Sequence, residues 1–591
     1  MGALTKTAGY RRHEPAPGRV ASSGVRSWSF TLKRISAGVP KYMFCLCQRT
    51  FFRSVLTRLY DIALKNIDDL RNVRRRTDGR RTVADYPERA AFSCSRRAMT
   101  RQSGDTYADP WALTCAITAT SYPFRRACMF FQRLKTPGLG HNAYLLGCGD
   151  GLAVVIDPRR DVDDYLRLAR ENSLSIVYVL ETHRQEDFES GSRTLAQMTG
   201  AGIVGGRHAL FGETDVKLAD EEEFRVGTTR FIALATAGHT PESMSYAVYV
   251  KDGGDRCWGV FTGDALFVGD TGRTDLPDPG KTGDNAGILY DAIHCKIAPL
   301  GEHVLLFPAH GAGSACGGNI SERDDSTLGI EKGTNPVFLK SRHDFVAHKL
   351  AEKMARPPYF AHMEEVNLLP GRPLKSSSAC RVLQPVEFQQ RMHEGVVIDT
   401  RSPEAFSAAH IAGAYNIWLD GLPAFGGWVA NEHTRIFLVA DGPEAMERAV
   451  MSLARIGIDS VEGVLAKGIE GWRDQGLPIE SIATTSAAET AIWMQLGRVH
   501  VLDVRDEYEW NEKHIPGAMH RYVGHLEHDL PLLPRDSEIV VHCNVGHRSG
   551  VAASVLKRNG FTRVHNMLGG LSAWEKLGLP LDGPGQSRKA D

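Results

Sequence analysis

The 591-residue chain has no stretch approaching the 18 or so uninterrupted apolar residues that span a bilayer, and no short apolar block near Met1 of the kind that directs secretion. Neither charge is in excess. The 70 Lys and Arg equal the 70 Asp and Glu, which leaves no global field for nucleic acid. Cysteine is sparse: 11 residues are scattered singly apart from Cys45 and Cys47, without the CxxC pairs of zinc ribbons or the density of a disulfide scaffold. A non-secreted, soluble protein of a reducing compartment is expected, with no nucleic-acid or membrane partner. What is present is ordinary globular material, 42% apolar and 24% charged. At roughly 100–200 residues per domain the length predicts about three to five domains.

The even balance conceals an asymmetry. Residues 1–128 carry 24 Lys and Arg against 9 Asp and Glu, a net of +15, and the rest of the chain carries −15. The first segment shows no sustained period of 2 or 3.6, so a basic, disordered extension is expected there. Its first 60 residues have 11 basic and 1 acidic residue, the balance of a transit peptide. A basic nucleic-acid arm and upstream sequence translated from an early start codon, with the working protein beginning at Met129, are the competing explanations.

From Met129 β-branched apolar runs alternate with turn signals. Asn142–Leu146 and Leu152–Ile156 flank Gly149-Asp150-Gly151, a hairpin signature, and 161–171 reads as a helix. Four further runs, 175–180, 230–236, 258–262 and 303–308, each end just before a potential metal ligand: His183, His239, Asp264 and His310. A ligand at a strand end is held by a rigid sheet yet projects into loop space where substrate enters.

A Pro-, Gly- and Ser-rich stretch at 368–378 reads as a linker. Beyond it lies a repeat. Asp399-Thr400-Arg401 precedes His410-Ile411-Ala412-Gly413-Ala414 as Asp503-Val504-Arg505 precedes His514-Ile515-Pro516-Gly517-Ala518, and each copy closes with Trp followed by Gly-Leu-Pro, at Trp472 and Trp574. Two copies of one α/β domain follow from this, over 379–480 and 485–585.

Residues 129–367 resemble the metallo-β-lactamase superfamily through Thr182-His183-Arg184-Gln185-Glu186-Asp187-Phe188, Gly238-His239-Thr240, Thr262-Gly263-Asp264 and Pro308-Ala309-His310-Gly311. The usual motif His-x-His-x-Asp-His is broken, with Gln185 and Phe188 in place of its second and last histidines. That disfavours a two-zinc hydrolase such as glyoxalase II. His183, His239 and Asp264 remain, a two-histidine, one-carboxylate set suited to one non-heme Fe(II), with Zn the alternative. Within the superfamily the persulfide dioxygenases use this triad, and the loops 269–276 and 311–317 are similar to theirs. The resemblance implies iron ligation by the triad, with open positions for O₂ and a persulfide sulfur. Asp187, His310 and Gln185 would lie around the ligands, and Arg273 would bind a substrate carboxylate or hold the active-site loop.

In the second repeat Ile539-Val540-Val541 leads into Cys543-Asn544-Val545-Gly546-His547-Arg548-Ser549 and a helical stretch. A thiolate at such a turn faces backbone N–H groups and the positive end of a helix, Gly546 permits the tight loop, and Arg548 adds positive charge. The segment resembles the active loop of rhodaneses. Its Cys-x4-Arg spacing fits a persulfide, whereas phosphatases of related architecture have one residue more. Cys543, Gly546, Arg548 and Ser549 are the expected catalytic residues. The first repeat has Ala440, or with a slip of one Asp441, at the cysteine position, and is expected to be inactive.

The implied architecture is a metallo-β-lactamase αββα sandwich followed by two rhodanese-like α/β domains. The implied activity is oxidation of a low-molecular-weight persulfide such as glutathione persulfide to sulfite, with sulfur transfer through Cys543, in sulfide detoxification. Small persulfides, thiols and O₂ would be the partners, with a homo-oligomer as one allowed assembly. The expected location is bacterial cytoplasm, or the mitochondrial matrix if 1–128 is a transit segment. A thioester hydrolase with a rhodanese tail, and a non-oxidative sulfur carrier, are the alternatives.

Overall fold

A computed structural model of the chain describes residues 129–276, 278–369, 371–372, 374 and 380–583. The basic extension at 1–128 lies outside them, as do most of the residues of the expected linker.

The expected hairpin forms. Strand His141–Gly147 pairs antiparallel with Leu152–Ile156 across the glycine turn, and an unforeseen strand, Phe131–Thr136, adds to its other side. These strands continue through Ser175–Leu180, Gly202–Gly206 and Val216–Leu218 in chain order, making a six-stranded sheet. A second six-stranded sheet runs from Glu223–Val226 through Thr229–Ala235, Met244–Tyr249, Gly259–Gly263 and Leu305–Pro308 to Ser326–Thr327.

Strand alternation explains the layers. On His141–Gly147, Tyr144 and Leu146 face the second sheet and meet Phe231, Tyr246 and Phe261, while Ala143 and Leu145 turn outward to Tyr165 and Leu195 on the helices Asp163–Glu171 and Ser192–Thr199. Both faces of the strand are therefore dry, and its sequence shows no polar alternation. Helices Thr282–Ala292 and Arg342–Ala351 cover the far side of the second sheet through Leu289 and Phe345. This is an αββα sandwich.

Each repeat forms a five-stranded parallel sheet. The order is Val382–Leu383, Val461–Leu465, Ile436–Val439, Val396–Asp399, Tyr415–Asn416 in one, and Ala483–Thr485, Arg563–Met567, Glu538–His542, His500–Asp503, Met519–His520 in the other. Read by chain position within each repeat the orders are identical. The residues that betray the repeat are framework. Arg401 grips Asp399 and Arg505 grips Asp503 in dry ion pairs, and Trp472 and Trp574 each donate an indole N–H at 2.8 Å to a proline carbonyl six residues on.

The sandwich and the repeats share one interior. A continuous apolar cluster joins Leu139, Phe188 and Tyr359 of the sandwich to Leu438 of the first repeat and Val551 of the second. Beside it, Arg160 of the sandwich, 2% exposed, bonds both oxygens of Asp459 in the first repeat at 2.7 and 2.9 Å and the Ala454 carbonyl at 2.8 Å.

Candidate metal centre and sulfur-transfer loop

The four strands named from sequence end as expected, and three of their ligand candidates converge. His183 Nε2, His239 Nε2 and Asp264 Oδ2 lie within 4.8 Å of one another, together with a carboxylate oxygen of Glu186. All four side chains are buried. Each histidine is oriented by its other nitrogen. His239 donates from Nδ1 to the Arg273 carbonyl at 2.9 Å, and His183 Nδ1 meets the Thr182 hydroxyl at 2.9 Å, which itself donates to Asp157. That fixes both Nε2 lone pairs toward the centre.

The test of a metal is what those atoms do otherwise. His183 Nε2, His239 Nε2, Asp264 Oδ2 and Glu186 Oε2 are buried and form no hydrogen bond. Burying that many polar atoms unpaired is costly, and a cation accepting all of them removes the cost. Two imidazoles and carboxylate oxygens form a donor set that fits a divalent transition metal.

Glu186 is not singled out by the sequence motif. Its Oε1 lies 2.7 Å from His239 Nε2 and its Oε2 3.8 Å from His183 Nε2, so this carboxylate stands among the donors. Cys316 points its thiol at Oε1, 3.4 Å away, and burial together with the Asp187 and Glu186 carboxylates raises that thiol well above its usual range, so it stays protonated.

His310 bridges Asp264 Oδ1 at 2.8 Å and Asp187 Oδ2 at 2.9 Å, so both ring nitrogens are occupied as donors. Phe188 packs in the shared interior, its ring 4.1 Å from that of His141, at the place where the superfamily pattern has a ligand. Gln185 is buried close by with both amide atoms unpaired. Of the two roles expected for Arg273, the geometry favours holding the loop over binding a substrate carboxylate. It is 2% exposed, and its five N–H groups go to Asp275 twice and to the carbonyls of Ala315, Met354 and Ala355. No donor remains for a substrate carboxylate, so its role is to tie three loops together around the centre.

In the second repeat the chain leaves strand Glu538–His542 at Cys543 and enters helix His547–Arg558 after Gly546, whose φ of +119° requires glycine. The Gly546 N–H donates to Cys543 Sγ at 3.1 Å, as an anion cradle requires. The Ser549 hydroxyl donates to Asn566 at 2.7 Å and sits 3.6 Å from the sulfur. Arg548 differs from expectation. Its guanidinium is committed to Glu509 and Asp506, so it enters the loop as part of an ion cluster rather than as free positive charge. In the first repeat only Ala440 and Asp441 separate strand Ile436–Val439 from helix Gly442–Arg455. Ala440 takes the position of Cys543, and the loop is too short to form a cradle.

These geometries agree with what the chain resembles. The rhodanese-like domain family matches residues 384–475 and 486–577. The mitochondrial persulfide dioxygenase ETHE1 of Bos taurus is 30% identical over 221 residues, covering 36% of this chain and 77% of that protein. A probable metallo-hydrolase of Bacillus subtilis, YqgX, is 29% identical over 203 residues, 31% of this chain and 90% of its own length. A metallo-beta-lactamase crystal structure from Staphylococcus aureus superimposes with a TM-score of 0.51 at 31% identity, covering 57% of this chain and 99% of that one.

Fold and site together define a metallo-β-lactamase-fold metalloprotein carrying two rhodanese-like domains. Within that class the chain belongs to the family of ETHE1-like persulfide dioxygenases, in a fusion with rhodanese domains, and is an enzyme of sulfur metabolism with a metal cofactor.

Proposed function

We propose that the chain oxidises a low-molecular-weight persulfide, RSS⁻, with O₂ and water to RS⁻, sulfite and two protons, using one Fe(II) held by His183, His239 and Asp264, and that it moves sulfane sulfur through Cys543. Glutathione persulfide is the substrate chosen for testing, and sulfide detoxification is the role this activity serves. The observation that carries the reading is the convergence of two unpaired imidazole nitrogens and carboxylate oxygens at a centre where Phe188 replaces one ligand of the dinuclear pattern and His310 is engaged through both nitrogens.

The metal would supply a place where O₂ and a sulfur anion are held together and electrons pass between them. The protein's part is positional. Thr182 and the Arg273 carbonyl keep both imidazoles in the ligating tautomer, and His310 steadies Asp264. At the other site the Gly546 N–H stabilises anionic sulfur on Cys543.

Metal analysis with oxygen uptake tests this. One iron per chain and persulfide-dependent uptake are expected, both lost in Asp264→Ala. Two zincs per chain with thioester hydrolysis and no oxygen uptake would replace the reading.

A further inference from the structure

The first repeat has a fold and no reactive loop, yet its aromatic side chains stand against the reactive loop of the second. Trp418 stacks on His547, the first residue of the helix after Gly546, with ring centroids 4.9 Å apart and planes 17° from parallel. Trp428 meets Tyr522 and His525 edge-on at 5.6 and 5.4 Å. These rings bound a cavity of about 570 Å³ whose lining comes from all three domains: Asp187 and Tyr359 of the sandwich, Trp418 and Trp428 of the first repeat, Cys543 and Arg548 of the second.

Asp187 connects this cavity to the metal donors. It bonds His310, which bonds Asp264, so the floor of the cavity is the outer layer of the metal centre. Asp187 Oδ1 is buried and unpaired. The far wall is the Cys543 loop.

We infer that the Cys543 loop and the outer layer of the metal centre face one chamber, walled in part by the inactive repeat, and that a small persulfide formed at Cys543 reaches the metal centre of the same chain faster than it escapes to bulk solvent. The inference rests on the function proposed above and adds the route. In the transfer a thiolate RS⁻ attacks the outer sulfur of Cys543–S–S⁻; an R–S–S bond forms, the Cys543 S–S bond breaks, and Cys543 leaves as thiolate. No electrons are gained or lost in that exchange. With thiosulfate as donor, Cys543 thiolate takes its outer sulfur and releases sulfite. A neighbouring site within one chamber acts at an effective concentration on the order of mM, far above the enzyme concentration of an assay.

The experiment feeds thiosulfate and a small amount of glutathione and follows oxygen uptake. The intact chain should begin uptake without a lag. An equimolar mixture of Cys543→Ser and Asp264→Ala chains, each keeping one site, should begin only after a lag that lengthens on dilution and run about tenfold slower at low protein. The same lag for intact chain and mixture would overturn the chamber. If Cys543→Ser cannot oxidise supplied persulfide, or Asp264→Ala cannot transfer sulfur, the proposed function itself fails. A second readout needs no metal chemistry. In metal-free protein, mass spectrometry should find that Cys543 persulfide is discharged by dilute thiol several-fold faster in Trp428→Ala, whose wall is opened; an unchanged rate would also count against the chamber.

Discussion

The two rhodanese-like repeats hold the same strand order, the same buried Asp–Arg pair and the same tryptophan-to-carbonyl bond, yet in one the fourth strand along the chain runs into a four-residue cradle and in the other into two residues. The framework is indifferent to chemistry. Loss of the cradle cost the first repeat no fold, because a strand-to-helix connection of two residues closes as well as one of four. What the first repeat retained is a surface, and its aromatic residues lie where the active loop of its twin needs a wall.

The comparison breaks most sharply at the sulfur. Cys543→Ser should abolish thiosulfate:thiol sulfurtransfer, while oxygen uptake with supplied persulfide stays largely intact. The converse change, Ala440→Cys, should yield no persulfide on the first repeat by mass spectrometry, since the two-residue loop has no room for a cradle. A persulfide above background on the first repeat of the Ala440→Cys protein would show that loop length is irrelevant.

The shared framework should fail equally in both copies. Arg401→Met and Arg505→Met each strand a buried carboxylate, and each should destabilise the protein by about 3–5 kcal/mol in chemical denaturation. A large difference between them would show that one pair serves the chemistry. Smaller is the indole bond: Trp472→Phe and Trp574→Phe should each cost about 1 kcal/mol beyond any packing change.

The smallest effect is one of pH, and here the twins should diverge. Burial raises the Asp399 carboxyl above its usual range despite Arg401, whereas at Asp503 burial is outweighed by the His542 ring, 3.5 Å away, and by Arg505, which lower it. The first repeat has Val439 where the second has His542. A depressed carboxyl contributes stability that is present above its unfolded value and lost as pH falls; a raised one contributes in the opposite sense. Acidification from about pH 6 to 3, which crosses the ordinary carboxylate range, should therefore destabilise Asp399→Asn protein at least as much as the native chain, and Asp503→Asn protein less. Equal acid sensitivity of the two variants, measured by thermal melting, would contradict the assigned directions.

Much of this architecture is legible in the amino-acid order. The ligands are visible because each follows a β-branched run, and the repeat because Asp, Arg, His and Trp recur at fixed spacing for reasons of framework. Glu186 escapes because the motif's recognised letters, His183, Gln185 and Asp187, flank it and leave its own position open; an acidic residue inside an otherwise buried heptad is the available signal. The choice between Arg273's two expected roles is not legible in sequence because its carbonyl partners, Ala315, Met354 and Ala355, are 42 to 82 residues away in the chain. The cavity cannot be read from sequence at all, since it exists only where three folded domains meet.

The ion cluster around Arg160 bears on how such an enzyme is governed. Asp459 and the Ala454 carbonyl hold its guanidinium in a dry seam, and a few ångströms away Arg455 of the first repeat reaches back to Asp161 of the sandwich at 2.7 and 2.8 Å. Swinging the repeats away would break both sets of bonds at once, at a cost of several kcal/mol. The seam is a weld rather than a hinge. Motion of the sandwich against the first repeat is thereby opposed at two arginines that sit on opposite sides of the seam, Arg160 and Arg455.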